Sequence, residues 1–168
     1  MTDLRWWLRS FQRSAFRLEA LPAYHVPQEA EWFAEWQRSG RLPELTPDND
    51  SWCKLVREAK SAGRLMQRVR VVSSPLTDYE RFELAMFRDS VAAGEDIRIV
   101  ERRVITEFHD LTDFWAFDGQ VILLHYDPVG RFLGTDHIND AVAIVACQRI
   151  RDTALSRSIR LQEYLAKL

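Results

Sequence analysis

The chain has 168 residues, 46% of them hydrophobic and 29% charged, with a net charge of −2. That size and balance fit one globular domain with a real core, and they exclude a global basic field that would hold nucleic acid. Two cysteines, Cys53 and Cys147, have no ligand-spaced neighbours, which excludes a disulfide scaffold and a zinc motif. No metal or cofactor is expected. No apolar run reaches the roughly 18 residues of a membrane span. Arg5 and Arg9 interrupt the aromatic N-terminus, so it does not read as a signal peptide, and a reducing cytoplasm is the expected setting.

Taken in order, residues 3–18 read as an amphipathic helix, with Leu4, Trp7, Leu8, Phe11 and Ala15 on one side. Pro22 and Pro27 bracket an extended segment around Tyr24 and Val26. A helix comes next over 28–39, closed by Gly40, and then a loop over 41–50. A further helix from Trp52 to Ala62 can be capped by Asp50 or Ser51. Five tryptophans, Trp6, Trp7, Trp32, Trp36 and Trp52, lie in this first third, which is expected to pack onto the rest rather than hang free.

The stretch 68–100 organises the remainder of the chain. Val69, Val71 and Val72 form a β-branched run that Pro75 ends. Thr77 and Glu80 have the spacing of a capping box. Tyr79, Phe82, Met86 and Ala93 make one face of a helix, Gly94 stands where a left-handed residue closes it, and Ile97, Ile99 and Val100 start another strand. Strand, helix and strand make a βαβ unit with parallel strands. The segment 102–110 reads either as more strand or as a crossover. Phe114–Phe117 and Gln120–Tyr126 flank Asp118-Gly119, a hairpin signal. Arg131–Leu133 reads as a short strand, 139–151 as a helix, and a last helix runs to the C-terminus. The expected fold is one α/β domain over 1–168, with α+β as the alternative. It has a mainly helical part (1–63), then a mixed sheet of about five strands and a C-terminal helix (64–168).

Five groups of residues can carry chemistry. Arg68, Arg70 and Arg98 sit on the paired strands, with Arg102 just beyond. Several guanidiniums on one sheet face suit a phosphate or carboxylate ligand, because each donates bidentate charged hydrogen bonds. The competing reading pairs them with Glu80, Glu83, Glu95, Asp96 or Glu101 as structural ion pairs. His109, Asp110, Asp113, Asp118, His125 and Asp127 crowd one part of the chain. His125 or His109 can serve as a base with Asp118 or Asp127 as its orienting partner. Against that, Asp118 belongs to the hairpin turn and Asp127 to an Asp-Pro turn. Glu95-Asp96, at the lip of a strand, has the ordinary polarity of a turn, and Asp136 and His137 read as caps. Cys53 and Cys147 read as buried small hydrophobes.

These segments carry two resemblances. The block RVRVVSSPLTDYERFEL, then AGEDIRIV, then DFWAFDGQVILLHYDPVGRFLG, with Arg17-Leu18-Glu19 and Tyr24, resembles an uncharacterised actinobacterial domain family over nearly the whole chain. In that family the genes often sit beside helix-turn-helix regulators, which implies a regulatory or toxin–antitoxin-like partner. The order of elements also resembles half of a phospholipase D-like fold. That superfamily carries His-x-Lys-x4-Asp followed by Gly. Set on Asp118-Gly119, the motif puts Leu111 at the His position and Asp113 at the Lys position. The resemblance therefore implies a degenerate member without the usual phosphodiesterase chemistry.

Two functions are compatible with these residues. One is a non-catalytic regulatory or sensing module, binding a protein partner such as a helix-turn-helix regulator, or a small anionic ligand held by Arg68, Arg70 and Arg98. The other is a hydrolase or phosphoryl-transfer-like enzyme with a His/Asp pair and arginines on an anionic substrate. An enzyme needs the histidine, the acid and the arginines around one pocket.

Overall fold

The computed structural model describes residues 3–108 and 110–168, and the fold is mixed α/β as expected. Among the described residues one sheet has seven strands, two more than the expected core. They are β1 (Ser14–Glu19), β2 (Leu65–Val72), β3 (Asp96–Glu101), β4 (Phe114–Phe117), β5 (Gln120–Tyr126), β6 (Phe132–Ile138) and β7 (Ile159–Arg160), in the order β6-β5-β4-β1-β2-β3-β7. The β1–β2 and β2–β3 pairs are parallel and the other pairs antiparallel. The helices are α1 (Leu4–Ser10), α2 (Ala30–Ser39), α3 (Ser51–Ser61), α4 (Asp78–Ala93), α5 (Ala141–Arg157) and α6 (Leu161–Leu165). Among the described residues no helix is long and apolar enough to cross a membrane.

The β2–α4–β3 unit forms as its sequence dictates. Thr77 Oγ1 accepts the N–H of Glu80 at 3.1 Å, and the Glu80 carboxylate accepts the N–H of Thr77 at 2.8 Å. Gly94 closes α4 at φ 125°, its N–H on the carbonyls of Ser90 and Val91. Asp118 and Gly119 join β4 to β5 with φ 50° and 94°, the positive pair that a two-residue hairpin requires. Asp50 caps α3 through the N–H of Cys53.

The N-terminus departs from expectation. The helix ends at Ser10, and Ser14–Glu19 becomes an interior strand between β4 and β2. Its cause is non-local: the Asp118 carboxylate accepts the N–H groups of Gln12, Arg13 and Ser14 at 2.6–2.9 Å. Those donors are thereby satisfied outside a helical ladder. Both faces of β1 are buried, so it carries no clean apolar/polar alternation to read. Later, β3 ends in a single 3-10 turn (Arg102–Val104) rather than in more strand. The short strand expected at 131–133 extends to Ile138, and α5 continues to Arg157 before the edge strand β7.

Alternate residues divide the sheet into two unlike faces. On one, Phe16, Leu18, Val69, Val71, Val100 and Phe114 pack against Cys147, Ala154 and other residues of α5. The other face is covered in parts. Ala15, Met66, Phe117 and Ile122 lie under α3 with Trp7 of α1, and Ile97 and Ile99 lie against α4 and α6. Between these two patches the same face carries charge, and there the coverage opens into a cleft. The tryptophans of the first third do pack inward: Trp7 stacks on Phe117, Trp52 meets Trp115 and Trp36 meets Phe82, while Trp6 stays 58% exposed.

Candidate functional site

The charged face arises from strand register. Arg17 pairs with Arg68 and Glu19 with Arg70 across β1 and β2, and Arg17 pairs with Trp115 across β1 and β4. The side chains of Arg17, Glu19, Arg68 and Arg70 thus project together from one face, and each is less than a tenth exposed. Buried charge demands partners. Arg17 Nη2 donates to Asp113 Oδ2 at 2.8 Å and to the Tyr126 hydroxyl at 3.2 Å. Arg68 donates from Nη1 to Glu19 and from Nε to Glu95, both at 2.8 Å. Arg70 donates from Nε to Glu83 at 2.5 Å and from Nη1 to the Val71 carbonyl at 2.9 Å. Asp113 also accepts the N–H of Ala20 and the hydroxyl of Tyr24, at 2.9 and 2.6 Å. Rings complete the packing: Arg68 lies over Trp52 and Phe87, Arg70 over Tyr24, and Arg17 over Trp115.

Burial opposes the charge of each of these three arginines. Asp113 and Glu19 outweigh it at Arg17, Glu19 and Glu95 at Arg68, and Glu83 at Arg70, so all three stay charged. Glu19 is held below the ordinary carboxylate value, because Arg68 and Arg17 overcome its desolvation. Glu83 is pushed up to about 7. Burial raises it, Arg70 opposes, and the charge of Glu19 adds to the rise.

The cleft above this face has a volume of about 450 Å³. Arg17, Glu19 and Arg68 line its floor, Trp52 one side, and Tyr79, Phe82, Glu83, Met86 and Phe87 of α4 another. Trp32 of α2 and Phe132 of β6 also line it. Its rim is held by a close backbone approach. The His25 N–H donates to the Gly130 carbonyl at 2.9 Å, and a side chain at Gly130 would meet the Ala23 carbonyl at 2.6 Å. Among the described residues, the buried side-chain polar atoms without a partner are Arg17 Nη1, Glu19 Oε2 and Arg70 Nη2. The first two belong to residues that line the cleft.

The residues singled out from sequence do not all come together. Arg68 and Arg70 stand side by side but are engaged by carboxylates of the protein itself. Arg98 does not join them: it pairs in register with Val69, on the opposite face, and bonds Asp96 at 3.1 Å. Arg102 donates to the Ala20 carbonyl. His125 alternates with Tyr126 and so also faces away from the arginines, with Nε2 2.8 Å from Asp136 Oδ2. His125 and the arginine cluster therefore do not share a pocket. Asp118 holds the α1–β1 connection. Burial opposes its charge, but the N–H groups of Gln12, Ser14 and Arg13 keep its carboxyl below the ordinary range. Asp127 accepts the N–H groups of Val129 and Arg131 in its turn. His109 lies outside the described residues. Among the described residues no three His, Cys, Asp or Glu side chains group as metal ligands. Leu111 packs at the edge of the α5-side core, and Asp113 is the buried counter-charge of Arg17. Burial raises the thiols of Cys53 and Cys147, with a hydrogen bond to Asp50 adding to the rise at Cys53, which suits neither to nucleophilic use.

Sequence reasoning did not assign Arg17 and Glu19 to the site. A signal existed: Arg17 and Glu19 alternate with Phe16 and Leu18, as Arg68 and Arg70 alternate with Val69 and Val71. Charge at period two inside an apolar run marks a strand with one polar buried face.

No curated protein matches the chain. Among solved structures it is similar to TrmBL2, described as an archaeal chromatin protein with a novel mode of DNA binding. The match has 9% sequence identity and a TM-score of 0.50, over 94% of this chain and 49% of that one. The chain spans about half the length of that protein, 49%, and the likeness is one of fold. A family model described as a domain of unknown function, DUF6879, matches residues 2–166, and the chain belongs to that family.

Proposed function

We propose that the protein is a non-catalytic sensing module that takes a small molecule in the cleft over Arg17, Glu19 and Arg68, and reports its occupancy to a regulatory partner. The observation that carries this reading is the pair of buried charged groups with unmet hydrogen-bonding atoms, Arg17 Nη1 and Glu19 Oε2, on residues that line an aromatic-walled cavity. Small-molecule sites typically combine apolar walls with a few convergent polar groups. The anion-holding role expected for Arg68, Arg70 and Arg98 passes in this reading to Arg17, which lines the cleft and keeps Nη1 unmet beside its bond to Asp113, whereas Arg68 serves two carboxylates, Arg70 is not part of the lining and Arg98 faces away.

A protein partner, such as a helix-turn-helix regulator, is favoured over direct contact with nucleic acid by the net charge of −2. TrmBL2, a solved structure similar in fold, is described as a DNA-binding chromatin protein, and this chain covers about half of it, 49%. In the same reading the element order is half of a phospholipase D-like fold. Its catalytic His and Lys are replaced by Leu111 and Asp113, and the setting is a reducing cytoplasm that keeps Cys53 and Cys147 as thiols.

The test is a thermal-shift screen of the purified protein against metabolites, with Trp32 and Trp52 fluorescence as a second readout at the cleft. A ligand at 100 times its Kd raises stability by about 2.7 kcal/mol. The expected result is a shift accompanied by a change in tryptophan emission. A bare mass in native mass spectrometry, together with no shift from any metabolite class, overturns the reading.

A further inference from the structure

Resting on the sensing reading, we propose that the cleft binds a small zwitterion of the aminocarboxylate class, an α-amino acid with an apolar or aromatic side chain. Its carboxylate meets Arg17 and its ammonium meets Glu19.

Three observations converge on that class. The unmet atoms are of opposite kind: Arg17 Nη1 is a charged donor and Glu19 Oε2 a charged acceptor. They belong to residues two apart on one strand, whose side chains already touch, Arg17 Nε lying 3.5 Å from Glu19 Oε1. A ligand with both charges on neighbouring atoms gives each a charge-assisted partner. A ligand with one charge leaves the other buried group unmet, which carries the full desolvation penalty.

The electrostatics point the same way. The lining carries Arg17 and Arg68 against Glu19, Glu29, Asp50 and Glu83. Arg17 is already balanced by Asp113, and Arg68 by Glu19 and Glu95. A lone anion would enter a site with surplus carboxylate. A lone cation would leave the Arg17 donor without an acceptor. A dipolar ligand of zero net charge disturbs neither balance.

The walls then fix the rest of the molecule. Trp32, Trp52, Phe82, Met86, Phe87 and Phe132 offer apolar surface around a space of about 450 Å³, which holds one amino acid with a large side chain. The two charged groups are pre-positioned. Asp113 and Tyr126 hold Arg17, and Arg68 holds Glu19, so little side-chain entropy is lost on binding.

The experiment is isothermal titration calorimetry on the full chain with the apolar and aromatic α-amino acids. Each is compared with its amine lacking the carboxylate and its acid lacking the ammonium; for phenylalanine these are phenethylamine and 3-phenylpropionate. At least one amino acid is expected to bind, with both single-charge analogues weaker by about tenfold or more. Glu19→Gln is expected to weaken the amino acid by a similar factor while 3-phenylpropionate is not weakened and binds more tightly, because the carboxylate that opposes a lone anion is gone. Should Glu19→Gln fail to fold, Trp32→Ala on the half-buried outer wall serves instead, and weaker binding of amino acids with large side chains is expected. An amine or acid that binds as tightly as its amino acid overturns the zwitterion while leaving the cleft a ligand site. So does a panel of silent amino acids beside a metabolite of another class that shifts the protein. Silence from every class overturns the sensing reading as well.

Discussion

On β1 and β2, Phe16, Leu18, Val69 and Val71 point to one side of the sheet, and Arg17, Glu19, Arg68 and Arg70 to the other. The strands, the depth and the backbone bonds are the same, but the physics is opposite. The apolar side meets α5 and gains about 25 cal/mol for each Å² removed from water. On the charged side the pairing energy goes largely into offsetting desolvation, and ion pairs of this kind are often replaceable by apolar residues without loss. A sheet needs only the first arrangement to fold. The second leaves Arg17 Nη1 and Glu19 Oε2 unmet on residues that line a cavity, an arrangement a ligand-binding surface explains better than a stabilising one does.

The contrast between the faces can be probed at several points. The largest effect is expected from Asp113→Ala, which strips the counter-charge from Arg17 and the acceptor from Tyr24 and Ala20. Removing one partner of a buried pair costs about 3–5 kcal/mol, seen as a lower urea midpoint at unchanged slope. A loss under about 1 kcal/mol would mean that Arg17 is solvated and the face is not truly buried. On the apolar side, Leu18→Ala is expected to cost about 2–5 kcal/mol through cavity formation alone, and that cost should not vary with pH. A smaller loss would show that α5 packs loosely there.

A pH experiment separates the faces further. Glu83 has an ordinary value of 4.5 and is raised to about 7 in the fold, so the folded state holds this proton more tightly than the unfolded state. Its contribution is full below 4.5 and is lost as pH rises through about 7. Glu19 is lowered, so its contribution is present above 4.5 and is lost at more acid pH, outside that window. Urea unfolding of Glu83→Gln should therefore lack the fall in stability that the parent protein shows between about pH 5 and pH 7. Parallel profiles would place the Glu83 proton elsewhere. The smallest effect is expected from Arg98→Ala. Its side chain is partly exposed and, among the described residues, paired with a neighbour two residues away on its own strand, so stability should move by no more than about 0.5 kcal/mol.

Local chemistry made the central unit legible in the sequence. The capping box at Thr77 and Glu80, the Gly94 closure, the Asp118-Gly119 turn and the Asp50 cap all act within a few residues, and all stand in the fold. What stayed hidden depends on distant partners. The helix read through residue 18 stops because Asp118, a hundred residues on, takes the N–H groups of Gln12, Arg13 and Ser14. The site was half legible. Arg68 and Arg70 were visible as alternating charge, and their pairing with Glu83 and Glu95 was the competing reading. Arg98 was set beside them because it lies on the neighbouring strand, whereas a register that pairs it with Val69 sends it to the other face.

The most direct test of the contrast is the urea unfolding free energy of the double variant Arg70→Met with Glu83→Leu, set against each single variant. If the charged face is kept for a ligand rather than for stability, each single change destabilises, while the double variant is as stable as the parent or more so. A double variant that loses about 3 kcal/mol or more, as the singles do, would show that the ion pairs hold the fold together, and the contrast between the two faces would fail.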